Sequence, residues 1–597
     1  MPMTMAGRND AVPTALLTTI ARLGQVALGG SIAAAGLALG TAASGSGQIT
    51  QYYFVFQDAP ILVLFGIFLL LAQWCLQRRL ALPSAAWLDA TEPRALVCMI
   101  AAAACCVVYA GTRFICLDYG LSLDEFMAQF DSRIIASGTL LAAVAPEWRD
   151  LVPALQPIFR LPVPDNTFWL SSYLPMNAAI RGAFLWLGDP IWVGVCLAGL
   201  TLASLFAVAR QLWPDRPDAA VVSVILTACS SQFLIAAMTP YAMSAHLCLN
   251  LIWLWLFLRN TWPSHIAAMA VAFFATGLHQ VAFHPLFAAP LLLTLLSARR
   301  WRLAFVYAGA YAGIILFWIL YWSLLMGSIN TPLAQSANVG LVSFLQRVSE
   351  IITLEGSSLA LMAINLLRFL AWQTPLLLPL ALIGLFRCRE RSGILVGLAL
   401  GIALTLLVVL VVMPFQGHGW GYRYLHGMLG SMALLAAQGW IWLSNVAPDL
   451  RKQLACVLGL SIALSVLALL PWRLAQVYAF VRPPAAASAA IARSNSDVVI
   501  VDATNIWYGV DLVRNDPLLR SQPKVLDLAS LRAEQVKVIC GRYRVAIFDT
   551  EDAARTGLRL APSLSPSAAG NARRLRDLMQ TLGCAHEHVT GTSAPPS

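Results

Sequence analysis

Residues 95–126 read ALVCMIAAAACCVVYAGTRFICLDYGLSLDEF, and this stretch decides the fold class. Residues 95–115 are an apolar run long enough to cross a bilayer as a helix, which takes about 20 residues. The run passes directly into Asp118 and then into the adjacent acids Asp124 and Glu125. A span therefore delivers two carboxylates to one face of a membrane. Partly desolvated beside lipid, such a carboxylate has a raised pKa and can act as a base. The same two acids also suit the first turn of a helix, where the helix dipole favours negative charge. The residues alone leave both readings open.

The rest of the chain has the same character. Of 597 residues, 59% are apolar and only 11% are charged, and the mean hydropathy is +0.72. Soluble globular chains carry about 25% charge. This composition excludes a water-soluble enzyme with one core and, over most of the length, a disordered chain. The net charge of +10 does not indicate nucleic-acid binding. Only Lys452, Lys524 and Lys537 among the 39 basic residues are lysine. The arginines form no stripe with interleaved aromatics; they cluster at the ends of apolar runs, the pattern of membrane topology.

Thirteen segments read as spans: 24–44, 59–77, 95–115, 190–209, 219–237, 243–258, 265–281, 282–298, 303–325, 366–387, 394–413, 424–443 and 454–472. One set of connections holds Arg8, then Arg78, Arg79 and Arg94, then Arg210 and Arg216, then Arg259. It continues with Arg299, Arg300 and Arg302, with Arg387, Arg389 and Arg391, and with Arg451 and Lys452. The alternate short connections 45–58, 238–242 and 281–284 contain no Arg or Lys. The basic set is expected in the cytoplasm, with the N-terminus inside and the C-terminus outside. Residues 24–44, ending Thr41-Ala42-Ala43-Ser44, also resemble a cleaved signal sequence. Cleavage there would leave the later spans oriented as before.

Three long segments then fall on the outer face: 116–189, 326–365 and the tail from about 483. Composition changes at Arg482-Pro483-Pro484-Ala485, read as a linker. Beyond it, the β-branched runs Val498–Val501, Lys524–Leu528 and Arg544–Phe548 predict a small α/β unit with a short, mostly parallel sheet. The last dozen residues, ending Thr592-Ser593-Ala594-Pro595-Pro596-Ser597, read as disordered. Expected boundaries are 1–94, 95–475 and 476–597. Most cysteines lie inside spans, where they serve as small apolar residues. Cys540 and Cys584 lie in the tail, where an oxidising compartment would permit a bridge. No Cys or His spacing of a zinc site occurs.

Three further elements join the acidic loop on the outer face. Ser171 to Asn177 precede the run Ala178–Leu187, interrupted by Arg181 and read as a helix lying at the surface; Tyr173 there could equally be an interfacial anchor beside Trp169 and Trp186. Residues 277–285, GLHQVAFHP, place His279 and His284 at a turn. Packing or hydrogen bonding suits these histidines better than a metal, since Pro285 disfavours the helical i, i+4 pair. Residues 415–424, FQGHGWGYRY, carry three glycines, Arg423 and Tyr424. An arginine at membrane depth is costly and usually has an anionic partner, and a lipid phosphate fits it. Snorkelling to headgroups is the alternative.

Taken in order, these motifs resemble the type C polytopic glycosyltransferases, and in particular the bacterial relatives of dolichyl-phosphate-mannose–protein mannosyltransferase. The pattern is an Asp-Glu pair in the first long outer loop (Asp124-Glu125), then Tyr173-Leu174-Pro175 and a surface helix. The basic turn Arg210-Gln211-Leu212-Trp213 and the element Tyr241-Ala242 follow. Last come Gly277-Leu278-His279 and Gly421-Tyr422-Arg423-Tyr424. The resemblance covers about residues 95–475. Two further spans precede it, the Tyr-Pro-Pro-like segment lacks its second proline, and the tail has no counterpart in the pattern.

The resemblance implies a polytopic α-helical protein of the bacterial inner membrane. It would move a sugar, with inversion, from a polyprenyl-phosphate carrier to a glycan, lipid or protein acceptor on the extracytoplasmic face. Asp124 is then the expected base, with Glu125 second. Arg423 would stabilise the departing phosphate, with Tyr173, His279, His284 and Tyr424 in the binding site. A divalent metal could assist Arg423, although no ligand set is committed to one. The competing readings are a transporter or lipid flippase without covalent chemistry, and a non-catalytic scaffold. Transporters place ionisable groups near the midplane and often repeat internally; no acidic residue lies in the middle of an expected span, and no internal repeat is legible.

Overall fold

The computed structural model describes residues 11–44, 49–78, 92–328, 356–387, 393–561, 566–584 and 587–589. Arg8, Arg79, Arg389, Arg391, most of the segment 326–365 and most of the last dozen residues lie outside the described residues; Glu587–His588 of that dozen form a strand instead of a disordered end. The chain is predominantly helical. Among the described residues, seven helices are long and apolar enough to cross a membrane: Leu16–Ala38, Ile49–Gln77, Pro93–Phe114, Trp192–Leu212, Trp301–Gly327, Gly393–Val412 and Arg451–Ala492. Shorter apolar helices, among them Met243–Arg259, Trp262–Thr276 and Phe283–Ser297, pack between them.

Two of the thirteen expected spans are broken. The run 219–237 divides into Pro217–Ala228 and Ser231–Ala237, bent by 62°. Ser230 caps the second piece, its Oγ accepting the Phe233 amide at 3.3 Å and donating to Gln373 Oε1 at 2.9 Å. The run 366–387 divides into Gly356–Ala371 and Leu377–Arg387. Pro375 lies in the gap and has no amide to donate. Gln373 and Thr374 there bond sideways, to Gln232 Oε1 at 2.8 Å and to the Leu226 carbonyl at 3.0 Å. Both breaks hold polar side chains bonded to groups on distant segments, a tertiary satisfaction that apolar run length does not reveal.

Helix Leu377–Arg387 crosses helix Leu429–Val446 backbone to backbone. A Cβ on Gly384 would overlap the Leu435 carbonyl, and one on Gly439 would overlap the Leu380 carbonyl. Small residues at a membrane helix crossing allow this approach. Gly384→Leu should therefore force the pair apart and cost about 1–3 kcal/mol or more. The check is the thermal midpoint in detergent, with Gly309→Ala, which meets open space, expected to leave it unchanged.

The first long loop and the tail fold together at one end of the helices. The loop contributes a two-residue antiparallel ladder, β1 (Ala142–Ala143) with β2 (Phe168–Trp169). The tail contributes β3 (Val498–Val501), β4 (Lys524–Asp527), β5 (Val545–Phe548) and β6 (Glu587–His588), all parallel in the order β4-β3-β5-β6. Phe130, Trp148, Leu155 and Trp169 of the loop share one core with Val498, Ile500, Leu526 and Val536 of the tail. Trp169 Nε1 donates to the Pro517 carbonyl at 2.8 Å, and Asn515 Nδ2 to the Leu155 carbonyl at 2.8 Å. Cys540 and Cys584 are joined as a disulfide, tying helix Ala533–Arg542 to the end of helix Pro566–Leu582.

The expected linker at residues 482–485 is not a linker. The helix runs through Pro483 and Pro484 to Ala492. Val477, Val481, Ala487 and Ile491 are buried along one side of it. That burial offsets the amide donors lost at the two prolines, and Ala487 and Ile491 enter the sheet's core.

Candidate active site

The site begins with a helix cap. Ser122 Oγ accepts the Glu125 amide at 3.2 Å, and Glu125 Oε2 accepts the Ser122 amide at 3.1 Å. This capping box starts helix Leu123–Ala136, as a Ser with Glu three residues later predicts. The cap divides the acid pair. Glu125 turns back to serve the helix start and is buried, while Asp124 faces a cluster drawn from distant segments.

Asp124 Oδ2 accepts from Arg423 Nη1 at 2.6 Å. His279 Nε2 lies 3.9 Å from Asp124 Oδ1, and Tyr173 stacks on His279 with ring centroids 5.0 Å apart. The Arg423 guanidinium lies over Tyr241 at 4.6 Å and over Tyr424 at 5.4 Å. Tyr241 Oη in turn donates to the His418 carbonyl at 3.0 Å and sits 3.1 Å from Ser122 Oγ. The structure thus brings together Asp124, Tyr173, His279, Arg423 and Tyr424.

Arg423 is aimed by its own loop. Its amide donates to Gln416 Oε1 at 2.9 Å, and Gln416 Nε2 donates to the Gly421 carbonyl at 3.0 Å. Gly421 has φ +64°, and a Cβ there would press on Gln232 and Trp372. Glycine supplies that left-handed turn without steric cost. Gln232, brought in by the break in 219–237, donates to the Tyr422 carbonyl at 2.8 Å.

His284 does not reach the cluster, contrary to the sequence expectation. It enters the first turn of helix Phe283–Ser297 and is fully buried. Its Nδ1 pairs with Asn250 Oδ1 at 2.8 Å and its Nε2 with Tyr311 Oη at 2.9 Å. With both ring nitrogens satisfied, it is a packing histidine. Pro285 falls within the first turn, where proline is tolerated. Among the described residues no group of three His, Cys, Asp or Glu side chains converges to hold a metal.

Burial pushes the Asp124 carboxyl up, but Arg423 and His279 outweigh it and hold the group well below the usual carboxylate range. Burial alone dominates at two neighbours. It raises Glu125 from 4.5 to about 7, against the bond from the Ser122 amide. It raises Asp131 from 3.8 to about 7, against the Ser171 hydroxyl. Asp131 lies two turns beyond Asp124, and both border a ≈20 Å³ gap with Tyr173 and His279. The sequence reading missed Asp131, although a spacing of seven puts it on the face of Asp124.

These shifts have a sign. Groups whose folded pKa is raised bind more protons folded than unfolded, so their stability is present at low pH and lost as pH rises through about 7. Stability should fall between pH 5 and pH 8. Glu125→Gln keeps the capping geometry and should remove part of the fall; Asp131→Asn in addition should remove more. Thermal midpoints at the two pH values read this directly, and an unchanged slope in the double variant would contradict it.

A second ionic cluster supports the first. Asp58 is fully buried and takes Arg368 Nε at 3.1 Å, Arg473 Nη2 at 2.8 Å and Trp372 Nε1 at 2.7 Å. Arg368 Nη2 also donates to the Gly419 carbonyl at 3.2 Å, so the triad grips the glycine loop that carries Arg423. Its signal was present in the sequence: Arg368 lies inside an apolar run, where a charge requires a partner.

No family model and no curated protein matches the chain. Among solved structures, it is similar to ArnT from Cupriavidus metallidurans bound to undecaprenyl phosphate, at 11% identity and a TM-score of 0.46, over 81% of this chain and 88% of that one. It is also similar to the apo state of the same protein, at 14% identity and a TM-score of 0.43, over 74% and 90%. Likeness at this level decides neither substrate nor reaction.

Proposed function

We propose that this chain is a membrane glycosyltransferase that moves a sugar from a polyprenyl-phosphate carrier to a glycan, lipid or protein acceptor. The observation that carries the reading is the convergence of Asp124, Tyr173, His279 and Arg423 from four distant segments into one partly buried cluster. It joins an ionised carboxylate to an arginine whose Nε has no hydrogen-bond partner. By the positive-inside pattern this end of the helices is extracytoplasmic and the N-terminus is cytoplasmic. The order of the motifs, like that of the type C glycosyltransferases of the bacterial inner membrane, points the same way.

The chemistry follows from the two charges. A donor phosphate arriving at Arg423 shares the guanidinium with Asp124. Sharing weakens the pull that keeps Asp124 acidic and so makes it a better base. The acceptor oxygen forms a bond to the sugar's anomeric carbon and loses its proton to Asp124. The bond from that carbon to the phosphate oxygen breaks, and its electron pair leaves with the polyprenyl phosphate, which Arg423 stabilises. Attack opposite the leaving group inverts the anomeric centre. Tyr173 and His279 flank Asp124 as groups that could orient the sugar.

The test incubates membranes carrying the protein with extracted polyprenyl-phosphate sugars and follows free polyprenyl phosphate by mass spectrometry. Release that depends on Asp124 and accompanies a glycosylated product supports transfer. Sugar crossing sealed vesicles with the carrier intact and no product would replace transfer with transport.

A further inference from the structure

A second cavity, of ≈350 Å³, opens between the helix ends and the tail. Phe480, Trp507 and Tyr508 form its aromatic walls, and Asp511 and His418 lie among its lining groups. Its volume falls within the range of small-molecule sites, which pair apolar walls with a few placed polar groups.

Two observations select the occupant. First, His418 Nε2 and Asp511 Oδ2 are buried and face each other as a 3.3 Å ion pair, but neither atom makes a hydrogen bond. Their side chains are 6% and 12% exposed. A hydrocarbon tail against them would leave these polar atoms without a hydrogen bond. Hydroxyls both donate and accept and would satisfy the pair. Second, the walls are flat rings, Tyr508 edge-on to His418 at 4.2 Å and Trp507 5.3 Å from Tyr508. A ligand with apolar C–H faces and a rim of hydroxyls fits both features, which describes a pyranose. Arg559, whose guanidinium lies over Tyr52 at 4.2 Å, adds a donor fork at the rim.

The cavity adjoins the reactive cluster. Leu121 lines it, three residues before Asp124. The Leu123 amide donates to Asp511 Oδ1 at 3.1 Å, and the His418 carbonyl accepts from Tyr241. We propose that this cavity is a saccharide subsite that holds the acceptor, so that the acceptor is a glycan or glycolipid. This rests on the transferase reading given above.

Binding is tested on the full-length protein in nanodiscs by saturation-transfer NMR. The probes are tetrasaccharides of glucose, mannose, galactose and N-acetylglucosamine, with polyprenyl phosphate as a separate ligand. At least one tetrasaccharide should bind, with transfer to its ring C–H protons. Trp507→Ala should weaken it about tenfold, as loss of one aromatic wall implies. Tyr508→Asn, at an exposed position whose positive φ asparagine tolerates, should weaken it also and guards against misfolding of the first variant. Polyprenyl phosphate binding should survive both and be lost in Arg423→Met. No saccharide binding, or binding indifferent to both variants, overturns the subsite while leaving the transferase reading intact. Loss of polyprenyl phosphate in Trp507→Ala would assign the cavity to the lipid and also overturn it. Saccharide binding that needs Trp507, in a protein that never binds polyprenyl phosphate, would uphold the subsite and remove the transferase reading.

Discussion

Asp124→Asn is expected to lower transfer by about 10²–10⁴-fold, the usual worth of a positioned base, and Arg423→Met by about 10²–10³-fold, the worth of a leaving-group stabiliser. The two side chains meet at 2.6 Å and are both about one-tenth exposed, so each single change also strands a charge. Asp124→Asn leaves a buried guanidinium without its anion. Arg423→Met leaves a buried carboxylate that takes up a proton. Stability and activity must therefore be read separately. The double variant removes both charges and should recover thermal stability lost in the singles, yet it should remain as inactive as the worse single. Recovery of activity along with stability would reduce the pair to a structural bridge. Arg423→Lys should restore little, because a lysine presents a point charge where a phosphate is gripped by a planar fork.

The second large effect is on folding. Asp58→Asn should cost about 3–5 kcal/mol, the penalty for breaking a buried pair by removing one partner. Total stabilities are only about 5–15 kcal/mol, so little folded protein should be recovered. The reason is arithmetic: Arg368 and Arg473 share Asp58 as their anion, and both are 1% exposed. Asp58→Ala combined with Arg368→Met and Arg473→Met should be better tolerated than Asp58→Asn alone, because no uncompensated charge remains. Because Arg368 also holds the Gly419 carbonyl, that folded triple variant should still lose activity through a displaced Arg423. Monodispersity in detergent and thermal midpoints check the first part, and transfer assays check the second.

Much of this arrangement is legible in the residues, and the illegible part has a common cause. Run length and hydropathy reveal helices such as Trp192–Leu212 and Gly393–Val412, which are long and predominantly apolar. β-branched runs reveal the parallel strands, because a strand buried on both faces needs no polar alternation. Asp124 and Arg423 can be assigned to one face by counting spans, but their contact, 299 residues apart in sequence, appears only in three dimensions.

What escapes is decided by partners. Asp124 and Glu125 are adjacent acids, and the capping box, whose Ser122-x-x-Glu125 spacing is in the chain, claims Glu125 and frees Asp124. His279 and His284 look alike. One faces Asp124, and the other is absorbed by Asn250 and Tyr311. The breaks at Ser230 and Pro375 lie in runs whose average hydropathy hides single polar residues bonded across helices. The Asp58 triad joins charges spread over more than 400 residues; Arg368 in its apolar run calls for a partner, but which partner it takes shows only when Asp58 and Arg473 are beside it.

The most direct test compares polyprenyl-phosphate sugars by mass spectrometry in cells expressing wild-type protein or Asp124→Asn at equal levels in the membrane. A sugar-carrier lipid that accumulates only with Asp124→Asn is the predicted result, and its mass would identify the donated sugar. Equal donor pools in the two strains, with donor synthesis demonstrated, would contradict catalysis at the Asp124–Arg423 cluster.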